Sequence, residues 1–318
     1  MKNVKNVNFL QVDNKNPQLV NKPGAIVLPS NEAFEKLGWT RKYFREKPKE
    51  GYFIWVEKQI SYPLSTCITI CSPNVSQKLM NLIVVDKEVE TEMYSICNAI
   101  EKNLSGVHIS YSKIVLKENS KLKIRHFHSW GKKDKVDASL DFVLEKGAEL
   151  SYSYKCLKTP LKLKTKSNIY LEENSVANLM TTILAKNSEV DMQDATFLKG
   201  EKSNGISRIR LVGDKNSKII ARSKIVAEAG GTGHLDCMGL LTADNSSINA
   251  IPELINKNKE AFLTHEASVG RIAEESLNYL RSRGLTEDEA IDLIVTGFLG
   301  GEEPLVIGGR VISSKRYM

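Results

Sequence analysis

Three residues with metal-binding side chains lie in the second half of the sequence, one of them about 28 residues before the other two. Cys237 is followed by the adjacent pair His265 and Glu266, at sequence separations of 28 and 29. A thiolate, an imidazole and a carboxylate together suit iron or an iron–sulfur cluster. The alternative is that Cys237 is an inert cysteine and that His265 caps the helix that follows. The choice between them depends on whether the fold brings residues at this separation together.

Other candidate ligands have weaker patterns. Cys67 and Cys71 are four apart in sequence, which would place them on one face of a helix, but no second pair follows at zinc-ribbon spacing. Buried thiols are therefore favoured over a metal site. His126 and His128 are two apart on one face of a predicted strand, and a surface or hydrogen-bonded pair is favoured over a ligand pair. Two further cysteines have no motif around them: Cys97 and Cys156.

A repeated corner signal indicates how the candidate residues are positioned. It reads Asn or Gly, then usually Ser or Ala, then any residue, then an aliphatic residue. Its first positions are Asn119, Gly147, Asn174, Asn187, Asn216 and Asn245, with a weaker copy at Asn258. The steps between them are 28, 27, 13, 29, 29 and 13, which are near-multiples of a half-unit of about 14. Asn and Gly tolerate positive φ, so these positions predict sharp corners.

Short alternating segments, such as residues 206–212 and 217–225, lie between the corners and predict strands with one inward face. A chain that turns at regular intervals and stacks its strands is a parallel β-helix, or β-solenoid. One coil of the repeat length would place Cys237 beside His265 and Glu266. An antiparallel sandwich is the alternative, although sandwich turns usually recur every ~8–12 residues. The sequence thus predicts a mainly β protein whose solenoid core spans residues 105–266.

Residues 1–104 form a mixed N-terminal region. Residues 31–45 predict a helix, residues 51–57 and 82–85 predict strands, and residues 89–104 have helical spacing.

Residues 267–318 predict a C-terminal helical domain. A first helix would end at Gly284, and a capping box from Thr286 to Glu289 would open a second. The second helix is more apolar than one buried stripe requires, which indicates contact with a partner. An apolar run at Leu305–Ile307 predicts a returning strand.

The composition is that of a globular protein with a sizeable core. Of 318 residues, 41% are hydrophobic and 26% are charged, and the net charge of +7 is spread over the chain. No apolar run is long enough to span a membrane, and the polar first residues argue against secretion. Five cysteines at irregular spacing suit free thiols in a reducing cytoplasm. No phosphate-binding loop, nucleophile elbow or zinc-protease motif is present, so nucleotide hydrolysis by this chain is not expected.

The C-terminal third resembles a known family. Residues 240–254, LLTADNSSINAIPEL, resemble the end of the SufB/SufD family core, and residues 264–270, THEASVG, are similar to its His-Glu/Gly-Ala-Thr segment. Residues 274–285, EESLNYLRSRGL, resemble its E-x-L-x-Y-L-R-x-R-G helix, and residues 288–298 resemble the helix after it. The match is strongest over residues 236–299, and the first hundred residues match poorly.

The resemblance implies a right-handed parallel β-helix followed by helices, on which a transient iron–sulfur cluster is assembled. It implies an ABC-type ATPase partner of the SufC kind docked on residues 271–299, which leaves this chain a non-enzymatic scaffold that passes its cluster to acceptor proteins. The docking residues would be Tyr279, Leu280, Arg283, Leu293 and Phe298. The cluster residues would be Cys237, His265 and Glu266. SufD-like chains lack the glutamate, so the chain resembles SufB, with a SufD-like accessory subunit as the alternative.

Because one chain carries all three ligand types, we expect a homodimer that pairs at a sheet edge. Two other classes of function are disfavoured by the sequence. A polysaccharide-cleaving β-helix would need an acidic cluster on one face and usually a secretion signal. A helix-turn-helix is disfavoured because the second C-terminal helix is apolar and acidic, which is wrong for phosphate contact.

Overall fold

The computed structural model describes residues 7–300 and the backbone of two short strands, β20 (Leu305–Ile307) and β21 (Arg310–Ile312), which pair as an antiparallel hairpin. The described chain forms a parallel β-solenoid of about eight turns, with a small helical part at its C-terminal end. The predicted solenoid is confirmed, and the antiparallel sandwich is wrong. None of the helices in the described part of the chain is both long and apolar enough to cross a membrane.

Each coil contributes one strand to each of two facing sheets. The first sheet contains β1 (Phe9–Val12), β2 (Lys15–Leu19), β5 (Leu64–Ile70), β7 (Glu90–Ala99), β9 (Lys121–Ser129), β11 (Glu149–Lys158), β13 (Val176–Lys186), β15 (Ser203–Asp214), β17 (Gly231–Leu241) and β19 (Phe262–Arg271). The second contains β3 (Ala25–Pro29), β4 (Tyr52–Val56), β6 (Ser76–Val85), β8 (Val107–Leu116), β10 (Lys135–Leu144), β12 (Lys162–Leu171), β14 (Glu189–Leu198), β16 (Lys218–Ala227) and β18 (Ser247–Asn256).

Alternating side chains from both sheets fill one continuous core. Strand β10 is typical, because its even-numbered residues from Val136 to Leu144 are buried while the residues between them are partly or fully exposed. The same alternation in the facing strands builds the main apolar cluster, which runs from Phe9 to Cys237. Period-two patterning therefore fixes which side chains face the interior.

The predicted corners are left-handed in the first five copies. Gly147 has a φ of 68°, and the asparagine corners have φ values between 50° and 57° at Asn119, Asn174, Asn187 and Asn216. Asn245 and Asn258 do not take positive φ. Asn245 instead donates to the Oδ1 of Asn216 at 2.6 Å, and Asn216 donates to the Oδ1 of Asn187 at 3.0 Å. The asparagines thus form a ladder that links three coils outside the core.

The parallel coils begin well before residue 105. Strand β4 pairs in parallel with β6, and β5 with β7, so residues 52–104 already belong to the stack. The helix predicted over residues 89–104 is wrong, because residues 90–99 form β7, whose alternate residues Thr91, Met93, Ser95 and Cys97 are buried. Polar residues on that inward face obscured the period-two pattern in the sequence.

The N-terminal end of the stack is capped by antiparallel strands. Strand β2 pairs antiparallel with β1, and β3 pairs antiparallel with β4. Helix α1 (Ser30–Lys36) and the 3-10 turn Gly38–Tyr43 replace the single helix predicted over residues 31–45, and they cover the outer face of the second sheet around Phe53. At the other end, helices α2 (Glu274–Ser282) and α3 (Glu287–Phe298) follow β19. Gly284 has a φ of 96°, and the capping box between Thr286 and Glu289 is formed as predicted.

Candidate functional site

Cys237 lies in the middle of β17, one strand from the end of the first sheet. Its neighbours in register are Ile209 on β15 and Ala267 on β19. The side chain faces the interior, is 3% exposed, and belongs to the main apolar cluster. Burial raises the pKa of the Cys237 thiol to about 11, and the charge of Asp236 acts in the same direction. The thiol is therefore protonated at neutral pH.

His265 and Glu266 lie on β19, opposite Leu235 and Asp236 rather than opposite Cys237. The coil joining β17 to β19 places Ala267 opposite Cys237, so it is slightly longer than the repeat in the sequence indicated. The predicted direct stacking on Cys237 is therefore wrong by one position for Glu266 and by two positions for His265. Strand alternation puts His265 on the inward side with Cys237 and puts Glu266 on the outer side. Both residues are exposed because β19 is the last strand of its sheet among the described residues.

Two polar residues that the sequence analysis passed over share the outer side with Glu266. Asp236 is held by Arg210 through two contacts, of 2.9 and 2.7 Å, and His234 Nδ1 lies 2.7 Å from the Thr264 hydroxyl. The guanidinium offsets the repulsion between the Asp236 and Glu266 carboxylates on adjacent strands. Asp236 and His234 belong to no recognisable motif, so only the register between β17 and β19 could have identified them as neighbours of Glu266.

The helices that follow β19 expose much of their apolar surface. Tyr279 is 59% exposed and Leu293 is 54% exposed, while Leu280 and Phe298 are half-buried. The Arg283 guanidinium lies 5.3 Å from the centre of the Tyr279 ring. The five predicted docking residues therefore lie on α2, on α3 or in the turn between them, and they leave an apolar and aromatic surface accessible.

A second group of potential ligands lies inside the solenoid, several coils away from its C-terminal end. Cys97 on β7 and the pair His126 and His128 on β9 bring their ligand atoms within 4.8 Å of one another. The two imidazole Nε2 atoms are 3.0 Å apart, and Cys97 Sγ lies 3.7 Å from the Nε2 of His126. The hydrogen-bonded histidine pair expected from the sequence is therefore present, but it is joined by a cysteine.

Tyrosine hydroxyls on β11 orient both imidazoles of this group. Tyr152 lies 3.0 Å from Nδ1 of His126, and Tyr154 lies 3.0 Å from Nδ1 of His128. Burial lowers the pKa of His126 to about 4 and that of His128 well below its usual value, so both rings are neutral at physiological pH. Burial also raises the pKa of the Cys97 thiol well above its usual range.

Sequence reasoning missed this group because it did not extend the coil period upstream of residue 105. The register of β7 with β9 places Cys97 directly opposite His128, one coil further along the chain. Cys67 and Cys71 do not lie on one face of a helix, because Cys67 is within β5 and Cys71 comes just after it. Neither of these two thiols belongs to the group of Cys97, His126 and His128.

The chain is similar to proteins of iron–sulfur cluster assembly. Residues 68–298 match the family model described as the SUF system FeS cluster assembly, SufBD core domain. A protein of Archaeoglobus fulgidus named iron–sulfur cluster assembly SufBD family protein is 33% identical over 296 residues, which cover 87% of this chain and 79% of the relative. A protein of the same name from Methanothermobacter thermautotrophicus is 30% identical over 298 residues, which cover 86% of this chain and 72% of the relative. The iron–sulfur cluster assembly protein SufB of Bacillus subtilis is 27% identical over 270 residues, which cover 78% of this chain and 55% of the relative.

Proposed function

This chain belongs to the SufBD family of the SUF system for iron–sulfur cluster assembly, and we propose that it acts there as the scaffold on which a transferable cluster is built. The observation that carries this proposal is that Cys237 and His265 lie on the same side of β17 and β19, the last two strands of the first sheet among the described residues. Glu266 lies on the other side of the same exposed strand. The cluster is the cargo of this site and not a resident cofactor.

The ligand types suit a cluster that is built and then released. Thiolate binds iron–sulfur clusters more firmly than imidazole or carboxylate does, so a site with one cysteine per chain releases its cluster readily. Two copies of the chain paired along β19 would bring two Cys237 thiols to one interface, with His265 or Glu266 completing the coordination. We therefore propose a homodimer with the site at the two-fold axis.

Burial of Cys237 requires a movement before the cluster forms. A thiol that is 3% exposed and has a pKa of about 11 is neither deprotonated nor accessible to iron at neutral pH. Displacement of β19, which lies beside β17 at the end of the sheet, would expose it. We propose that an ABC-type ATPase of the SufC kind supplies this movement by docking on α2 and α3 through Tyr279, Leu293 and their neighbours.

In this proposal the chain itself is not an enzyme, because ATP hydrolysis takes place in the partner. The free state of all five cysteines supports a reducing cytoplasm as its location, and apo-proteins that accept clusters are its further partners. A SufD-like accessory role, in which the chain supports iron delivery without holding the cluster, is the second candidate. The buried, protonated state of Cys237 is the observation that favours it.

Anaerobic reconstitution with iron and sulfide, in the presence of the cognate ATPase and ATP, tests the proposal. We expect visible absorption from a cluster in wild type and at least a tenfold loss in Cys237→Ala, with the dimer intact. Cys156→Ala is the matched control, since it removes another buried cysteine of the same sheet and is expected to build the cluster normally. A full cluster in Cys237→Ala would contradict the scaffold role. An intact wild-type complex that builds no cluster would favour the accessory role.

A further inference from the structure

We propose that Cys97, His126 and His128 bind one divalent transition-metal ion of the zinc class inside the solenoid, at a site separate from the cluster-building strands. The three residues lie on β7 and β9, whereas Cys237 and His265 lie on β17 and β19. This site would hold a resident ion that links two neighbouring coils. It does not depend on the scaffold role.

The spacing of the donor atoms fits a tetrahedral ion. With Zn–N bonds of ~2.0–2.1 Å and Zn–S bonds of ~2.3 Å, the ligand atoms of a tetrahedral site lie roughly 3.3–3.6 Å apart. The observed separations are 3.0 Å between the two Nε2 atoms and 3.7 Å between Cys97 Sγ and His126 Nε2. The ligand atoms of the remaining pair, Cys97 and His128, lie within 4.8 Å of each other, so a side-chain adjustment of up to about 1 Å places an ion among the three residues.

The tyrosines leave the correct nitrogens facing the ion. When Nδ1–H of an imidazole donates to a neighbouring oxygen, its Nε2 lone pair is available for metal, which is the usual arrangement at protein metal sites. Tyr152 and Tyr154 provide such oxygens at 3.0 Å from the two Nδ1 atoms. With both Nδ1 atoms protonated, two lone pairs face each other at 3.0 Å. A cation between them removes the repulsion.

A third histidine lies beside the group with an unused nitrogen. His108 is buried on β8, and its Nδ1 lies 2.9 Å from Oε1 of Gln77, so Nδ1 carries the proton and donates it. Its Nε2 is buried without a hydrogen-bond partner, and its ring centre lies 6.2 Å from that of His128. Burial lowers the pKa of His108 to about 3, which keeps the ring in its neutral, ligating form. His108 is the donor that can complete the coordination, directly or through water.

The alternative is a chain of hydrogen bonds without metal. In that state Tyr154 donates to Nδ1 of His128, Nε2–H of His128 donates to Nε2 of His126, and Nδ1–H of His126 donates to Tyr152. This chain leaves Nε2 of His108 without a partner, whereas metal binding employs it. On binding, the Cys97 thiol becomes a thiolate and releases its proton to solvent, so the ion and its protein ligands carry one net positive charge.

The test uses cobalt as a spectroscopic substitute for zinc. The full-length chain is expressed in minimal medium supplemented with Co²⁺, purified without chelator, and analysed for metal content and absorption. We expect about one cobalt per chain, visible bands of tetrahedral Co²⁺, and a near-ultraviolet thiolate-to-cobalt charge-transfer band. A cobalt content below about one tenth per chain in wild type would overturn the proposal.

Variants then locate the ion. Cys97→Ala is expected to lose the charge-transfer band and at least nine tenths of the cobalt. Cys237→Ala is the matched control, because it removes another buried cysteine of the same sheet, on β17 rather than on β7 or β9. It is expected to retain the charge-transfer band and the cobalt. An unchanged cobalt spectrum in Cys97→Ala would overturn the internal site.

Retention of cobalt in Cys237→Ala would show that the cobalt does not bind at the proposed cluster site, so the two proposals can fail independently of each other. If Cys97→Ala does not fold, a spectroscopic measurement on wild type alone still tests the site. X-ray absorption at the cobalt edge is expected to show one sulfur ligand and two or three imidazole nitrogens. A first shell of oxygen and nitrogen without sulfur would contradict the assignment, whatever the variants do.

Discussion

At the scale of single residues, the side chains able to do chemistry mostly face the interior of the solenoid in their neutral forms. Burial raises the pKa of the thiols of Cys97 and Cys237 and lowers the pKa of His126 and His128. Desolvation penalises the charged form in each case. Any reaction that needs a thiolate must therefore begin with exposure or with metal binding, and both proposals above have this requirement.

Asp194 offers a direct test of this desolvation. It lies on the inward side of β14, and burial raises its pKa from 3.8 to about 6, against an opposing hydrogen bond from Ser167. A carboxyl whose pKa is higher in the folded state stabilises the fold below its unfolded pKa and loses that contribution as pH rises through the folded value. At pH 8 ionisation of Asp194 therefore lowers the unfolding free energy by up to about 3 kcal/mol. Asp194→Asn is expected to raise stability by about 2–3 kcal/mol at pH 8 and by little at pH 4, as measured by urea denaturation at both pH values.

The matched control is Asp191→Asn on the same strand. Asp191 faces outward and forms a 2.7 Å ion pair with Arg222, and both side chains are exposed. Exposed pairs of this kind contribute about 0–1 kcal/mol. This variant should therefore be slightly less stable than wild type at pH 8. Equal stability of Asp194→Asn and wild type at pH 8 would show that the Asp194 carboxyl is better solvated than its position implies.

How far the sequence predicts the site depends on register. The interval from Cys237 to His265 predicted adjacent coils, and the structure places the two residues on neighbouring strands and on the same side. It could not predict that Glu266 lies on the other side, because a change of a single residue in coil length exchanges the two sides of a strand. The grouping of Cys97 with His128 depends in the same way on the length of a coil upstream of the detected repeat.

At the scale of elements, the corners determine where one strand ends and the next begins. The predicted corners at Asn119 and Asn174 are left-handed, so residue type alone located them. Upstream corners were missed because Glu88 and Ser105 take positive φ there without the Asn-Ser or Gly-Ala pattern. Without a corner signal, residues 89–104 could not be recognised as a strand.

Gly147 tests the energetic role of these corners. Its φ is 68°, and an added Cβ would clash with the Oδ1 of Asn119 on the preceding coil. A left-handed residue other than Gly costs roughly 1–2 kcal/mol, and the clash adds to this. Gly147→Ala is therefore expected to lower the unfolding free energy by at least about 1–2 kcal/mol in urea denaturation.

The control at the equivalent corner one coil later is Asn174→Gly. Its φ of 57° is a conformation that glycine adopts without strain, so we expect a change of less than about 1 kcal/mol. If Gly147→Ala proved as stable as wild type, corner strain would not limit the stability of the stack.

At the scale of the whole molecule, the two ends of the solenoid differ. The N-terminal end is closed by antiparallel pairing of β2 with β1 and of β3 with β4. At the other end, β19 pairs only with β17 among the described residues, and it exposes Phe262 and Val269. A sheet edge with unpaired backbone groups and exposed apolar side chains pairs readily with another strand. This asymmetry is the physical basis for placing the proposed dimer contact at the C-terminal edge.

A charge introduced on that edge tests the homodimer. Phe262 is 66% exposed on β19, and burial of one phenylalanine contributes about 1.5–3 kcal/mol. In a two-fold contact each substitution acts twice, so Phe262→Lys is expected to raise the dimer dissociation constant at least about tenfold. Analytical ultracentrifugation over a concentration series measures this dissociation constant.

Ile100→Lys is the control, because Ile100 is 52% exposed at a corner near the opposite end of the stack and its charge should leave the dimer unchanged. A dimer weakened equally by both variants would place the contact elsewhere, and a wild-type chain that stays monomeric in complex with the proposed ATPase partner would exclude the shared two-cysteine site.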